Sequence, residues 1–240
     1  MIRLGLIGQK LSHSFSKSFF SKKFEDEGIN AAYDLLELEK LENFREISMK
    51  YSGLNVTIPY KSQIIPLLDN LDPAAKEVGA VNTIKIEGIE LTGYNTDVIG
   101  FEYSLLHFID TSKVKKALIL GTGGASKAVA FVLSKLNIDH LFISRKTGGQ
   151  NVITYSEIEQ GLLNTCQLIV NATPLGMYPN TEQAPALPID YLNGQWVYDL
   201  IYNPLETKFL KEASQRNCKI KNGLEMLHIQ AEESYKIWTQ

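Results

Sequence analysis

The chain is predicted to be an α/β protein of two units with parallel sheets, and three observations carry that expectation. Short runs rich in Ile, Leu and Val, bounded by Gly, Asn or Pro, alternate with longer amphipathic stretches, as strands joined by crossover helices do. The alternation starts afresh at KKALILG (115–121), so the chain reads as two successive series. At 240 residues it is long enough to build two small cores.

In the first series the strand candidates are residues 2–8, 32–38, 53–58, 81–87 and 90–95, with helices expected near 16–28, 40–50 and 60–69. Phe20 and Phe24, then Leu41, Phe44 and Ile47, recur at helical spacing. A helix near 97–110 is the expected connection to the second series. There, strand candidates 115–121, 140–145, 167–173 and 196–202 are short runs of the buried type, and a helix follows the first of them to about residue 136. From Gly223 onward, Leu224, Leu227, Ala231, Tyr235 and Trp238 form the single apolar stripe of a closing helix.

Composition narrows the function classes. The chain is 44% hydrophobic and 21% charged with a net charge of −3, which is ordinary for a globular protein and argues against a nucleic-acid surface. Cys166 and Cys218 belong to no C-x-x-C pattern and read as reduced, buried thiols. The four histidines never fall at H-x-x-x-H spacing, so no metal site is expected. MIRLGLIG is too soon interrupted for a signal peptide, and no apolar run approaches a membrane span. A cytoplasmic protein without a membrane partner is the expectation.

GTGGAS (121–126) stands where a buried strand gives way to an amphipathic helix. Glycines there permit a tight turn and close approach of backbone amides to a pyrophosphate, whose charge the helix N-terminus favours. Gly121, Gly123 and Gly124, with Ala125 and Ser126, are therefore candidates for the pyrophosphate loop of a Rossmann unit. The plain alternative is an ordinary strand-to-helix turn. At the end of the next strand, where NAD-binding proteins carry an acid for the ribose, the chain has Ser144, Arg145, Lys146 and Thr147. Cations suit a 2′-phosphate, so NADP is favoured over NAD; the alternative is a solvated basic turn. The missing acid also weighs against an S-adenosylmethionine methyltransferase.

Three strings upstream carry the remaining chemistry. In His13-Ser14-Phe15-Ser16 the two serines point the same way if the stretch is extended, and two convergent hydroxyls could hold a carboxylate. Either serine could equally cap the following helix. LNVTIPYK (54–61), GAVNTI (79–84) and GYNTD (93–97) bring Asn55, Thr57, Lys61, Asn82, Asn95 and Asp97 to strand ends. Hydride reduction of a ketone leaves an alkoxide that needs a positioned proton donor, a role suited to a lysine ammonium held by a carboxylate. Lys61 and Asp97 have the right chemistry, although a lone lysine is usually a solvated surface group.

Together the strings resemble the shikimate dehydrogenase family. The likeness runs through H-S-x-S, N-V-T-x-P-x-K, G-A-V-N-T, N-T-D-x-x-G, the glycine loop, NATPLGM (171–177), DLIYNP (199–204) and the ending G-x-x-M-L-x-x-Q-A. The resemblance implies a substrate and catalytic domain of residues 1–101 with 223–240, a Rossmann NADP domain of residues 102–222, and a deep cleft. It also implies reversible, NADPH-dependent reduction of 3-dehydroshikimate to shikimate, a step toward aromatic amino acids, by a monomer or homodimer. By the same resemblance, Ser14 and Ser16 bind the shikimate carboxylate with Tyr202 nearby, and Thr57, Asn82, Asp97 and Gln230 hold the ring hydroxyls. Lys61 becomes the proton-transfer residue with Asp97 as partner, both also touching substrate. Gly121, Gly123, Gly124, Ala125 and Ser126 form the pyrophosphate loop, Arg145 and Lys146 the 2′-phosphate site, and Thr173 and Met177 line the nicotinamide side.

The chain departs from the family pattern at Lys17, at Ser144-Arg145-Lys146, and in a short segment from Gly148-Gly149 to NATPLGM. Two other readings stay in view: a quinate/shikimate dehydrogenase using NAD, and a non-catalytic NADP-binding regulator. Methylene-tetrahydrofolate dehydrogenases share the glycine loop but have no use for paired serines.

Overall fold

A computed structural model describes residues 1–11, 14–146, 148–149 and 151–240. The chain divides into two compact units, residues 1–96 with 230–240 and residues 97–229.

The first unit contains β1 (Ile2–Gly8), α1 (Phe15–Asp26), β2 (Ala31–Glu37), α2 (Phe44–Ser48), β3 (Gly53–Val56), β4 (Asn70–Leu71), α3 (Pro73–Val78), β5 (Thr83–Glu87) and β6 (Glu90–Tyr94). Its sheet runs in the order β2-β1-β3-β5-β6-β4. The α/β class expected from the strand-helix rhythm holds: β1 pairs in parallel with β2 and β3, while β5 runs antiparallel to both β3 and β6 and makes this sheet mixed. β1 is buried along its last five residues, as a central strand covered on both faces must be.

The helix expected over 60–69 does not form. Residues 58–64 make hydrogen-bonded turns, and a single 3₁₀ turn follows at Ile65–Leu67. Pro66 is the reason, because it lacks an N–H and its ring would strike the carbonyl one helical turn back. α2 is likewise only five residues long within the expected 40–50. Conversely, α3 has a start signal in Asp72-Pro73: the Asp72 carboxylate accepts from Ala74 N at 3.0 Å, and Pro73 takes the first helical position.

The second series follows as α4 (Thr96–Leu106), β7 (Lys116–Leu120), α5 (Gly124–Lys135), β8 (Asp139–Ser144), β9 (Val152–Thr154), α6 (Gln160–Thr165), β10 (Leu168–Asn171), β11 (Trp196–Asp199), α7 (Lys208–Ser214), β12 (Lys219–Lys221) and α8 (Leu224–Thr239). The sheet order β12-β11-β10-β7-β8-β9 is parallel throughout. The chain winds outward from β7 through β8 to β9, then returns to β10 on the other flank of β7. That reversal makes a crevice beyond the carboxyl ends of β7 and β10, where open α/β sheets take ligands. Beneath it, Leu118, Leu120, Ile169, Val197 and Phe209 form a core. Cys166 and Cys218 are buried and free, as read from the sequence.

The last turns of α8 complete the core of the first unit, where Ala231 and Trp238 pack with Leu4, Phe20 and Tyr33. Among the described residues no helix is long and apolar enough to cross a membrane.

Candidate active site and cofactor cradle

Parallel pairing brings the carboxyl ends of β1 and β3 side by side, and antiparallel pairing sets Asn55 of β3 opposite Thr83 at the start of β5. Polar side chains at that edge are buried and need partners. Tyr33 donates its hydroxyl to Asn55 Oδ1 at 2.7 Å. The amide nitrogen of Asn55 then reaches Asn82 O at 3.1 Å, Thr83 Oγ1 at 3.2 Å and Ser234 Oγ at 3.0 Å. Thr83 and Ser234 hydroxyls lie 2.8 Å apart, and Ser234 reaches Thr96 Oγ1 at 3.1 Å. Asn82 holds the start of α4, accepting from Thr96 N at 2.7 Å and donating to Thr96 Oγ1 at 3.0 Å. Gln230 Oε1 stands 3.5 Å from the same hydroxyl.

The two serines stand at the start of α1. Ser14 is the N-cap residue of α1, yet its side chain makes no capping bond. Its Oγ is buried without a hydrogen-bond partner, the one such side-chain atom among the described residues. The capping alternative therefore fails for Ser14. Ser16 lies inside α1; burial pushes the Tyr33 pKa far up, and the Ser16 hydroxyl offsets part of the rise. Thr57 follows β3, with its N–H on Ile7 O at 2.8 Å. Lys61, in the turns that follow, is half-buried, and its carbonyl accepts from Val81 N at 2.7 Å.

The first unit thus joins Asn82 and Gln230 through Tyr33, Asn55, Thr83, Thr96 and Ser234. Asp97, buried in the first turn of α4, and Tyr202 fall within the second unit. Burial raises the Tyr202 pKa. His13 lies outside the described residues, as does Thr147 of the basic turn. Of the linking residues, sequence reading singled out only Asn55. Ser234 had a usable signal, since it lies four residues after Gln230 and so on the same face of α8.

In the second unit, β7 is followed by Gly121, whose φ is +107 and whose N–H donates to Ile143 O at 2.8 Å. A side chain there would press on Thr173 Cγ2 at 3.1 Å, so the glycine lets the loops after β7 and β10 approach. α5 begins at Gly124 with Gly123 as its N-cap, and no side chain caps it. A Cβ at Gly123 would meet nothing within 4 Å. An open, side-chain-free start of a helix of 12 residues, at the sheet's switch point, fits a pyrophosphate. Ser126 is fully buried and bonds Gly123 O at 2.6 Å, so it closes the turn.

Arg145 and Lys146 are exposed just beyond β8, next to β7 in the sheet. Burial raises the Tyr155 pKa, and the charge of Arg145 offsets part of the rise. Thr173 is half-buried, and Met177 is exposed on the loop after β10. The second unit thus carries an open glycine turn at a helix start, two exposed cations beyond β8 and a partly exposed loop after β10.

Comparison with known proteins agrees with this architecture. Residues 6–84 match the family model for the shikimate dehydrogenase substrate binding domain. The shikimate dehydrogenase (NADP(+)) of Methanococcus maripaludis is 40% identical across 98% of this chain and 90% of its own. The crystal structure of shikimate dehydrogenase 1 from Peptoclostridium difficile superposes with a TM-score of 0.89 at 36% identity, covering 100% of this chain and 92% of that one. The Thermus thermophilus shikimate 5-dehydrogenase, solved in complex with NADP(H) and shikimate, gives 0.87 at 30% identity, covering 100% of this chain and 94% of that one. With a relative this similar along nearly its whole length, the chain belongs to the shikimate dehydrogenase family.

Proposed function

We propose that the protein is a shikimate dehydrogenase that interconverts 3-dehydroshikimate and shikimate with NADP(H). The observation that carries this reading is the buried, unpartnered hydroxyl of Ser14, two residues before Ser16 in a unit that also holds the hydrogen-bonded network of Asn82 and Gln230. A hydroxyl left without a partner in a folded interior is costly unless a ligand satisfies it. A carboxylate is an acceptor for it, and the amides of Asn82 and Gln230 suit ring hydroxyls.

In this reading Ser14 and Ser16 hold the carboxylate with Tyr202, and Thr57, Asn82, Asp97 and Gln230 hold the ring. When bound, NADPH supplies the hydride that turns the ring ketone into an alkoxide. Lys61 keeps a proton at Nζ for that oxygen and takes one back in the reverse direction, with Asp97 as the carboxylate that orients the ammonium. Gly121, Gly123, Gly124, Ala125 and Ser126 hold the pyrophosphate, and Arg145 and Lys146 select the 2′-phosphate. Thr173 and Met177 face the nicotinamide.

The deciding assay follows NADP⁺ and NAD⁺ reduction with shikimate and, separately, quinate. Shikimate with NADP⁺ is the expected pair. A preference for quinate with NAD⁺ would make the protein a quinate/shikimate dehydrogenase. Tight NADPH binding without turnover of either acid would make it a non-catalytic regulator.

A further inference from the structure

Asp199, at the end of β11, is a fully buried carboxylate with no place in the mechanism above. It accepts from Asn171 Nδ2 at 2.9 Å, from Ile201 N at 3.0 Å and from Thr207 Oγ1 at 2.7 Å. Asn171, itself fully buried at the end of β10, accepts through Oδ1 from Thr173 N at 3.0 Å and from Thr173 Oγ1 at 2.7 Å.

The polarity of this chain has one solution. An ionised carboxylate only accepts, so the atom of Asn171 facing it must be the amide nitrogen. Oδ1 then faces Thr173, and the Thr173 hydroxyl must spend its proton there. A hydroxyl has two acceptor positions, and Leu175 N takes one from 3.3 Å. Thr173 therefore turns an acceptor, not a donor, toward anything bound beside it.

We propose that Asp199 and Asn171 are positioning residues of the cofactor site: they commit the Thr173 hydroxyl to accept a hydrogen bond from the carboxamide N–H of the nicotinamide. The inference rests on the reading above that Thr173 lies on the nicotinamide side. Buried carboxylates are costly, and this one ties three segments together: the end of β10, the loop after β11 and the start of α7.

Calorimetric titrations test it, at pH 8 so that Asp199 is ionised, with NADP⁺, with the analogue carrying 3-acetylpyridine in place of nicotinamide, and with 2′-phospho-ADP-ribose. The analogue keeps the carbonyl but has no amide N–H. The wild-type protein should bind it about 10-fold more weakly than NADP⁺, as loss of one hydrogen bond implies. Asn171→Ala, which frees the Thr173 proton, should shrink that gap to about 2-fold, the residue left when one hydrogen bond loses most of its worth; Asp199→Ala, which removes the anchor of the Asn171 amide nitrogen while Thr173 N–H still calls for Oδ1, should shrink it less. Asp199→Asn should restore it, since an amide oxygen can still accept from Asn171 while its nitrogen turns to Thr207. All variants should bind 2′-phospho-ADP-ribose like the wild type.

A wild-type protein that does not distinguish NADP⁺ from the analogue would overturn the proposal without any variant having to fold. So would Ala variants that keep the full gap, or that lose the fragment as much as NADP⁺. Thr173→Val with unchanged NADP⁺ binding would instead refute the placement of Thr173, and the inference with it.

Discussion

The indole of Trp238 lies where a side chain at residue 53 would be: a Cβ on Gly53 would sit 2.2 Å from Trp238 Cδ1. Trp238 is buried there and donates Nε1–H to Ile84 O at 2.9 Å, which ties the end of α8 to β3 and β5. Gly53→Ala should therefore destabilise by about 2–3 kcal/mol, the cost of overpacking against a ring with nowhere to go. Trp238→Ala should cost about 3–5 kcal/mol. Because the first change acts through the second residue, the double variant should be well short of additive in chemical denaturation. Full additivity would mean the contact is not tight.

Ser14→Ala should separate stability from function. The hydroxyl caps nothing and is buried without a partner, so its loss should leave the midpoint of thermal unfolding unchanged or higher. The KM for shikimate should rise about 10-fold, with the KM for NADP⁺ unaffected. A destabilised variant with normal KM would show that the residue is only a helix start.

Lys61→Ala should lower kcat by roughly 10²- to 10⁴-fold, the usual share of a positioned proton donor, with a much smaller change in shikimate KM. Steady-state rates in both directions check this. Wild-type turnover would remove Lys61 from the mechanism.

Arg145→Ala should raise the KM for NADPH by about 10- to 100-fold while leaving that for NADH nearly unchanged, because a charge-assisted bond to the 2′-phosphate is lost. Equal effects on both cofactors would place Arg145 elsewhere than the 2′-phosphate.

Asp199 should impose a pH dependence on stability. Burial pushes its carboxyl up to about 6, against the combined pull of Thr207, Ile201 N–H and Asn171. Between pH 4 and 6 the folded protein then binds more protons at this site than the unfolded chain, so this contribution to stability falls as pH rises and is fully lost above the folded value. Two units of displacement correspond to roughly 3 kcal/mol. Asp199→Asn, which carries no charge to bury, should gain on the wild type by an amount of that order between pH 4 and pH 7 in urea unfolding. Parallel curves across that range would contradict the assignment.

Much of this protein was legible in its sequence because local patterns carry local physics. Runs such as KALIL and LIVN can only be buried strands, and a glycine-rich turn between strand and helix is enough to announce the cradle. The family motifs, being short and ordered, could be read in the same way. Local pattern misled where a single residue overrode it, as Pro66 does in the stretch expected to be helical. Only the tertiary structure could decide which side chains meet. Tyr33, Asn55 and Ser234 lie far apart in the chain, and strand pairing with the return of α8 brings them together. The same holds for Asp199 and Asn171, which are joined because β10 and β11 pair in register. Sequence determined the elements and the chemical types on offer, since these depend on neighbours along the chain. Register and packing decided which hydroxyl stayed unpartnered and which proton was committed, since those depend on neighbours in space.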